Sequence, residues 1–504
     1  MNFFLSLIPI LLILYLMVGL RWGASRAGAA GYLAAMGLAI VFFGAGAELL
    51  AYAHTKALLL SLDVLMIVWA AYLHFRVADE AGAIKTIGQM LPQLTQDKGM
   101  LALLIGWVFA SFLQGAGGFG VPVAVVAPVL VGLGFSPLAA VVIPAVGHSW
   151  AVTFGSLGSS FQALMAATNL PGELLDGPAA LVLGLSGVLV GYMVAHAAGG
   201  WKAVRRLWAP VLFIGFVMGA VQYGVAEAGL WNIAAFAGGG VGLLVTIPLA
   251  NWMSREKTKN MDGRALLIAS SSYLILLVVT LGVLLIPGLK DWMGQIAIRV
   301  AFPELRTAQG YVTLAQTGRV IRVFAHTGTL LFYAAMLSFV VYRRAGHYKP
   351  GAMKRILTQT VQKMMSSSVG ITAMVAMAVV MAHAGMTDAL ARGLANGVGV
   401  AFPLVSPWIG ALGAFMTGSN TNSNVVFADL QYRTAELLGY SVAWILAAQT
   451  AGGAIGSVIA PTKVIVGAST AGMEGREGEV IAKMAGYVAL LILFVMLVVL
   501  VAIR

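Results

Sequence analysis

Apolar runs long enough to cross a membrane follow one another along almost the whole chain of 504 residues, with short gaps between them. A membrane-spanning helix needs about 20 such residues. Charged side chains make up 10% of the sequence, whereas soluble domains carry about 25%. We therefore predict an all-α polytopic membrane protein with about 12–14 spans. Too little sequence remains outside the spans for a soluble catalytic domain, which takes about 100–150 residues.

Basic residues concentrate in the gaps and predict the topology. Gaps rich in Lys and Arg are typical of cytoplasmic loops, so the net charge of +12 does not indicate nucleic-acid binding. Counting crossings between these gaps places the N-terminus outside a plasma (inner) membrane that the chain crosses many times. The basic gap residues are Arg21, Arg26, Arg76, Lys85, Lys98, Lys202, Arg205, Arg206, Arg255, Lys257, Lys259, Arg264, Arg343, Arg344, Lys349, Lys354 and Arg355.

Two apolar stretches are interrupted by glycine and small polar residues. Residues 99–133 contain Gln114–Pro122 (QGAGGFGVP), and residues 399–433 contain Thr417–Asn424 (TGSNTNSN). Non-helical backbone at membrane depth is tolerated only where protein buries it or water reaches it. Each stretch is therefore predicted to form a re-entrant hairpin with the polar residues at its tip.

Each hairpin is followed by an apolar segment, over 136–170 and 440–470, and these segments are predicted to break near His148–Gly158 and at Gly452–Pro461. The two regions resemble each other at an offset of 303 to 305 residues, because Phe112–Gly115 aligns with Phe415–Gly418 and Gly134–Ser136 aligns with Gly439–Ser441. The first hairpin is predicted to enter from inside and the second from outside, which makes the repeats inverted. Inverted repeats with discontinuous helices are typical of secondary transporters.

This pattern predicts an organisation in five parts. In chain order they are N-terminal scaffold spans with an interfacial segment (1–98), the first repeat (99–198), central scaffold spans and loops (199–365), the second inverted repeat (366–470) and a C-terminal span (471–504).

The breaks are the candidate binding site. Broken helices expose N–H groups that suit anions and carbonyls that suit cations, and many polar side chains in hydrocarbon imply a wet cavity. For scattered serines, packing between helices is the alternative interpretation. The candidate substrate-binding residues are Gln114, Gly115, Gly117, Gly118, Gly120, Ser149, Ser156, Ser419, Asn420, Thr421, Asn422, Ser423, Asn424 and Lys463. We expect no catalytic residues, no metal site and no cofactor.

Three ionisable residues near the breaks are candidates for charge complementarity or ion coupling. His148 lies in the first break, and imidazole titrates near neutral pH, which suits proton exchange. Asp429 follows the second tip and is the other candidate for proton or ion coupling. Lys463 follows the second break, where an anionic substrate or Asp429 would offset the cost of its burial.

These motifs resemble the L-lactate permease family. The resemblance is carried by Phe112–Val131, Val152–Gly158, Phe415–Asn424, and Thr450–Gly453 followed by Ile459–Pro461. It implies a symporter for a small 2-hydroxy monocarboxylate such as lactate or glycolate, usually proton-coupled. Ser419–Thr421 further resembles the Ser-Asn-Thr signature of the divalent anion:sodium symporters. These belong to the ion transporter superfamily, whose paired hairpins move as an elevator. The implied partners are a small organic anion, H+ or Na+ and the bilayer, and such carriers are often homodimers.

Several residues depart from the pattern of that family. Gln114 stands where the family has Glu, Asn420 where it has Asp, and His148 where it has Asn, while Asp429 and Lys463 occupy uncharged positions. Three interpretations stay open: the proton carrier has moved to His148 or Asp429, coupling is to sodium, or the substrate is a more highly charged sulfonated or dicarboxylic hydroxy acid. An anion channel is a further alternative. The sequence lacks the motifs of a membrane enzyme or a nucleotide-driven pump.

Overall fold

The computed structural model of the chain describes residues 2–20, 22–118, 120–253, 263–318 and 320–503. The predicted cytoplasmic residues Arg21, Arg255, Lys257 and Lys259 lie outside the described residues, as does Phe119 of the first predicted tip. In the described part, nearly all regular structure is helical, as the apolar runs predict.

The first half of the chain contains eleven α-helices. They are α1 (Asn2–Leu14), α2 (Ala24–Phe43), α3 (Ala47–Glu80), α4 (Ala83–Met90), α5 (Lys98–Leu101), α6 (Ala110–Ala116), α7 (Val121–Gly132), α8 (Pro137–Gly147), α9 (Gly155–Thr168), α10 (Gly172–Glu227) and α11 (Trp231–Met253). Tyr15–Gly19 and Ala102–Phe109 are π-helical, and Leu91–Leu94 and Ser149–Ala151 are 3-10 turns.

Ten further α-helices follow within the described residues. They are α12 (Gly263–Leu285), α13 (Leu289–Met293), α14 (Thr327–Arg344), α15 (Ala352–His383), α16 (Met386–Val398), α17 (Phe402–Thr417), α18 (Asn420–Leu438), α19 (Val442–Gly456), α20 (Pro461–Thr470) and α21 (Glu477–Ile503). Gly399–Ala401 and Ser457–Ile459 are 3-10 turns.

Ten helices of the described chain are long and apolar enough to cross a membrane, or eleven if the bent pair of α8 and α9 is one span. This number is lower than the predicted 12–14 partly because α10 reverses its direction at Gly199 and Gly200. Tyr192 donates a hydrogen bond to the carbonyl of Trp208 at 3.0 Å, although sixteen residues of straight helix would separate them by about 24 Å. The 56-residue helix α10 therefore contains both spans that the sequence predicts between 178 and 225.

Both predicted hairpins reverse the chain at their glycine-rich turns. In the first, α6 and α7 flank a turn at Gly117–Gly120, and Lys98 Nζ at its base donates to the Gly134 carbonyl at 3.3 Å. In the second, α17 and α18 flank Gly418, which adopts a left-handed φ of 73°. The Ser419 side chain caps α18 by accepting from the Asn422 N–H at 3.4 Å.

The segment after each hairpin is also interrupted. The helical axis bends by 50° between Pro137–Ala151 and α9. At the start of α9, Ser156, Leu157 and Gly158 have left-handed φ values of 48°, 53° and 80°. The second interruption is the short stretch at Ser457–Ile459 and Ala460 between α19 and α20, which is narrower than the predicted break at 452–461.

Six two-residue strands form three antiparallel pairs in the segment at 287–325, which the all-α prediction missed. The pairs are Ala297–Ile298 with Ile321–Arg322, Ala301–Phe302 with Gln316–Thr317, and Leu305–Arg306 with Val312–Thr313. The Ala308 N–H donates to Gly44 O at 2.8 Å, and the Thr313 hydroxyl donates to His383 O at 3.4 Å. We call the side of the molecule that carries these strands and helix ends the strand face.

The opposite ends of the same helices carry the basic gaps, and we call this side the basic face. Arg355 Nε donates to Glu80 Oε1 at 2.8 Å, which joins the start of α15 to the end of α3. Arg206 forms an ion pair with Asp97 at 2.5 Å. The described basic gap residues therefore collect at one side of the helical bundle, as the positive-inside pattern requires of a cytoplasmic side.

Candidate functional site

The two hairpins and the two interrupted helices meet around a pair of threonines. The hydroxyl of Thr153, in the break before α9, lies 3.1 Å from the hydroxyl of Thr450 on α19. Asn420, the first residue of α18, donates from Nδ2 to Thr153 Oγ1 at 3.1 Å and to Thr450 Oγ1 at 3.3 Å. Three segments that are far apart in the sequence thus share one hydrogen-bonded cluster, which we call the tip cluster.

The second tip continues this cluster into α9. Asn424 Nδ2 donates to Ser160 O and to Thr450 Oγ1, both at 2.9 Å. The hydroxyls of Thr421 and Ser160 are 3.0 Å apart. The run Asn420–Asn424 is buried throughout, because it packs against α9 and α19 and not against lipid.

The first tip reaches the same break from the other side. Gly118 adopts a left-handed φ of 58°, and a Cβ there would overlap the hydroxyl of Ser156. A Cβ at Gly155 would lie 2.8 Å from the Gln114 carbonyl and 2.7 Å from Gln114 Nε2. Gln114, Gly118 and Ser156 therefore lie together, as predicted, at a point where only glycine permits the close approach.

The second tip has a matching arrangement. Gly418 is the left-handed residue of that tip, and a Cβ there would overlap the hydroxyl of Thr462 at the start of α20. In each hairpin, the left-handed glycine of the tip therefore lies against a hydroxyl that is in, or directly after, the break that follows that hairpin.

Several polar atoms around the two tips are buried with no hydrogen-bond partner among the residues that the structure describes. They are Oε1 of Gln114, Oδ1 of Asn420, Oδ1 of Asn422 and Nε2 of His148. Leaving such an atom unpaired costs about 1–3 kcal/mol, so unsatisfied buried groups in a native fold call for an explanation. These atoms can still accept or, for an imidazole N–H, donate a hydrogen bond.

Lys463 and His148 are the ionisable residues near the two interruptions. Lys463 Nζ donates to the buried Ser457 hydroxyl at 2.9 Å. His148 is fully buried, and its Nδ1 lies 2.6 Å from the Pro144 carbonyl. The helix α20, which carries Lys463, packs against α8, which ends at His148, so both residues lie in the same region.

Asp429 does not compensate Lys463, contrary to one prediction from the sequence. Its Oδ2 accepts from Arg433 Nε at 2.9 Å, one helical turn along α18. Ten residues of helix separate Asp429 from Ser419, which corresponds to about 15 Å. Asp429 therefore lies near the strand face. Its position along α18 could be predicted from the sequence, whereas the charged group with which it pairs could not.

Other predicted site residues have structural contacts. A Cβ at Gly115 would lie 2.5 Å from the Phe236 backbone, and one at Gly117 would lie 2.8 Å from the Phe75 ring. The Ser149 hydroxyl donates to Val146 O and the Ser423 hydroxyl to Gly410 O, both at 2.7 Å. Gly120 has a left-handed φ of 85° and open space around it. Their proposed role in binding stays a prediction.

Three residues of the tip cluster were not among the predicted site residues. Thr153, Ser160 and Thr450 supply its hydroxyl and carbonyl groups. Thr450–Gly452 aligns with Ala145–Gly147 at the same offset as the hairpins, so the position of Thr450 in this alignment was a signal that could have identified it.

A buried polar cluster built from interrupted helices, inside a bundle of long apolar helices, defines a polytopic membrane protein with a buried polar centre. The chain matches the L-lactate permease family over residues 2–504 and belongs to that family. Its members are permeases, so this protein is a membrane transporter and not an enzyme.

Relatives from several bacteria match most of the chain. The glycolate permease GlcA of Escherichia coli (strain K12) is 28% identical over 512 residues, which cover 94% of this chain and 90% of that protein. The L-lactate permease of Salmonella typhi is 27% identical over 447 residues, covering 82% and 79%. The L-lactate permease of Bacillus subtilis (strain 168) is 25% identical, covering 94% and 91%.

Two solved transporter structures are also similar. The YdaH transporter of Alcanivorax borkumensis gives a TM-score of 0.45 at 17% identity and covers 86% of this chain and 83% of its own. MtrF of Neisseria gonorrhoeae gives a TM-score of 0.45 at 16% identity and covers 88% and 83%.

Proposed function

We propose that this protein is a proton-coupled symporter for a small 2-hydroxy monocarboxylate such as lactate or glycolate, in a bacterial inner membrane. The family and the names of the relatives support this substrate class. The observation that carries the proposal is the tip cluster, in which Asn420 joins Thr153 to Thr450. Amide and hydroxyl groups of this kind suit the carboxylate and hydroxyl of such a substrate.

The charged groups near the cluster complete the proposed site. Lys463 would neutralise the carboxylate, because its ammonium has one described hydrogen-bond partner, the hydroxyl of Ser457, and no described ion pair. His148 would exchange the coupling proton through Nε2, the buried atom without a described partner. Asp429, held by Arg433, would act from the strand face, which we assign to the outside because the basic gaps lie at the opposite side.

We further propose that the two hairpin regions are inverted repeats of a transport domain that moves as an elevator within the five-part organisation predicted from the sequence. The matching contacts of Gly118 with Ser156 and of Gly418 with Thr462 support the repeat. The chain contains no cysteine, so cross-linking can test the movement. We expect a reducible bifunctional thiol reagent that joins Leu60→Cys on α3 to Val425→Cys on α18, two positions that line one cavity, to stop uptake and a reductant to restore it. Full uptake by the cross-linked protein would contradict the movement.

Uptake into proteoliposomes tests the function. We expect labelled L-lactate and glycolate to accumulate when the outside is acidic, and a protonophore to abolish the accumulation. Protein-free liposomes and the exposed-residue variant Ser469→Ala are the controls. Equilibration without accumulation would contradict a symporter and indicate a channel, since a channel cannot concentrate a solute beyond its electrochemical equilibrium.

A sodium-coupled carrier is the second candidate. The unpartnered amide oxygens of Gln114, Asn420 and Asn422 favour it, because hard cations prefer oxygen ligands. A sodium gradient imposed at equal pH on both sides separates the two: accumulation driven by sodium alone would replace proton coupling. Uptake of a sulfonated or dicarboxylic hydroxy acid in preference to lactate would identify the more highly charged substrate class.

A further inference from the structure

A charged cavity lies away from the tip cluster, where the strand-face ends of α9 and α15 meet α3 and α18. Its volume is about 320 Å³, near the lower end of the range of roughly 300–1,000 Å³ for small-molecule pockets. Lys56, His383, Asp429 and Arg433 line it together with leucine and valine side chains of α3, α15 and α18. One wall is therefore polar and charged, and the other is apolar.

The two cations Lys56 and Arg433 and the single carboxylate Asp429 give this wall a net charge of +1. Asp429 is paired with Arg433 at 2.9 Å, and Arg433 Nη1 also donates to the Tyr311 hydroxyl at 3.1 Å. Lys56 Nζ donates to the neutral Gln316 Oε1 at 3.1 Å and forms no ion pair within the part of the chain that the structure describes.

An imidazole with a free ring nitrogen lies beside these cations. His383 is 2% exposed, and Nδ1 lies 2.9 Å from the Val379 carbonyl. Nε2 has no partner in the described part of the chain. The cavity wall thus combines a primary ammonium and a guanidinium, which are groups that bind a carboxylate, with the imidazole ring of His383 beside them.

Two helices connect the cavity to the tip cluster. Asn424 of the cluster precedes the cavity residue Val425 on α18, and Ser160 precedes the cavity residues Ala166–Thr168 on α9. The distance along α18 from Asn424 to Asp429 is about 7.5 Å. The cavity therefore lies between the strand face and the tip cluster.

We propose that this cavity is a second carboxylate-binding site, at which a 2-hydroxy monocarboxylate is held before it reaches the tip cluster. Lys56 and Arg433 bind the carboxylate, the imidazole of His383 lies beside the bound anion, and the apolar wall contacts the methyl group of lactate. The identity of the anion rests on the proposed function, whereas its binding in this cavity is tested separately.

Binding of labelled L-lactate to the purified full-length protein is the direct measurement. In the Asn420→Ala background, which impairs the tip cluster, we expect one site to remain. Adding Lys56→Gln should raise the dissociation constant of that site at least about tenfold, because it removes a charge-assisted contact. Lys56→Arg should retain binding. Loss of all binding in Asn420→Ala alone, or unchanged binding after Lys56→Gln, would overturn the proposal.

A second variant keeps the test valid if Lys56→Gln does not fold. Gln316→Glu places a carboxylate 3.1 Å from the Lys56 ammonium and should weaken lactate binding by a similar factor, whereas Gln316→Met, which adds no charge, should not. Equal binding by both variants would contradict the cavity site.

Transport kinetics distinguish the proposed cavity site from the proposed symport function on which it rests. For Lys56→Gln in proteoliposomes we expect a KM raised at least about tenfold and a nearly unchanged kcat, as expected when uniform binding is lost. Normal uptake by the wild type with an unchanged KM in Lys56→Gln would reject the cavity and leave the symporter intact. Absence of wild-type uptake with Lys56-dependent lactate binding would reject the symporter and leave the cavity.

Discussion

The hydroxyl groups of Thr153 and Thr450 lie 3.1 Å apart in space and 297 residues apart in sequence. This contact joins the break after the first hairpin to the helix after the second. Asn420 and Asn424 both donate to Thr450 as well, so a single hydroxyl links the segments after both hairpins and the second tip.

Thr450→Val should destabilise the protein although it keeps the shape of the side chain. The substitution removes one acceptor from each of the Asn420 and Asn424 amides, which keep Thr153 Oγ1 and Ser160 O as their other acceptors, so we expect a cost of about 1 kcal/mol for each lost hydrogen bond. Thr450→Ser should keep nearly full stability. Thermal unfolding in detergent measures both, and equal midpoints for the two variants would argue against a structural role for this hydroxyl.

Lys463→Ala and Ser419→Ala should each abolish uptake without reducing the amount of folded protein. Lys463 loses the charge that we assign to the carboxylate, and Ser419 loses the cap of α18 at the second tip. Lys349→Ala and Ser469→Ala remove the same groups from exposed positions and serve as matched controls. Normal uptake by both site variants would remove the second tip and its break from the binding site.

Gly118→Ala and Gly120→Ala separate steric overlap from backbone strain at the first tip. Both glycines have a left-handed φ, which costs a residue with a Cβ about 1–2 kcal/mol. Only at Gly118 would the Cβ also overlap the Ser156 hydroxyl. We expect Gly118→Ala to lower the unfolding midpoint and the uptake further than Gly120→Ala, and Ser156→Gly to restore part of the loss. Equal effects of the two alanine variants would contradict the contact.

His326→Ala should destabilise the protein by about 2 kcal/mol or more. The imidazole contacts Asp63 at 2.9 Å and caps α14 by accepting from the Gly328 N–H at 3.1 Å. Loss of a helix cap alone costs about 0.5–2 kcal/mol, and loss of a buried hydrogen bond adds to it. The exposed His347→Ala is the control. A midpoint of unfolding equal to that of the control would show that the pair contributes nothing.

The positions of the hairpin turns and breaks could be predicted from the sequence, because glycine clusters and prolines interrupt helices wherever they occur. Gly418 and the stretch at Ser156–Gly158 lie within the predicted interruptions. The rotation of each helix could not be predicted. For this reason Thr153 and Thr450 were missed as partners, and Asp429 was expected near Lys463 although it pairs with Arg433.

Hydropathy could not predict the strands or the reversal within α10, for a different reason. Two-residue strands are too short to show an alternating pattern. The turn at Gly199 and Gly200 needs no polar loop, because two glycines with non-helical dihedral angles, one of them with a positive φ of 63°, suffice to reverse the helix.

The left-handed turn at Ser156–Gly158 limits how the segment after the first hairpin can change its conformation. Leu157 is fully buried in a cluster with Ile67 and Ile233, and Ser156 lies against Gly118. Rewinding the turn into a regular helix would withdraw both side chains from these contacts. We therefore expect the first tip and the turn at Ser156–Gly158 to move as one unit. A change of conformation then occurs at the borders of that unit, where its helices slide against their neighbours.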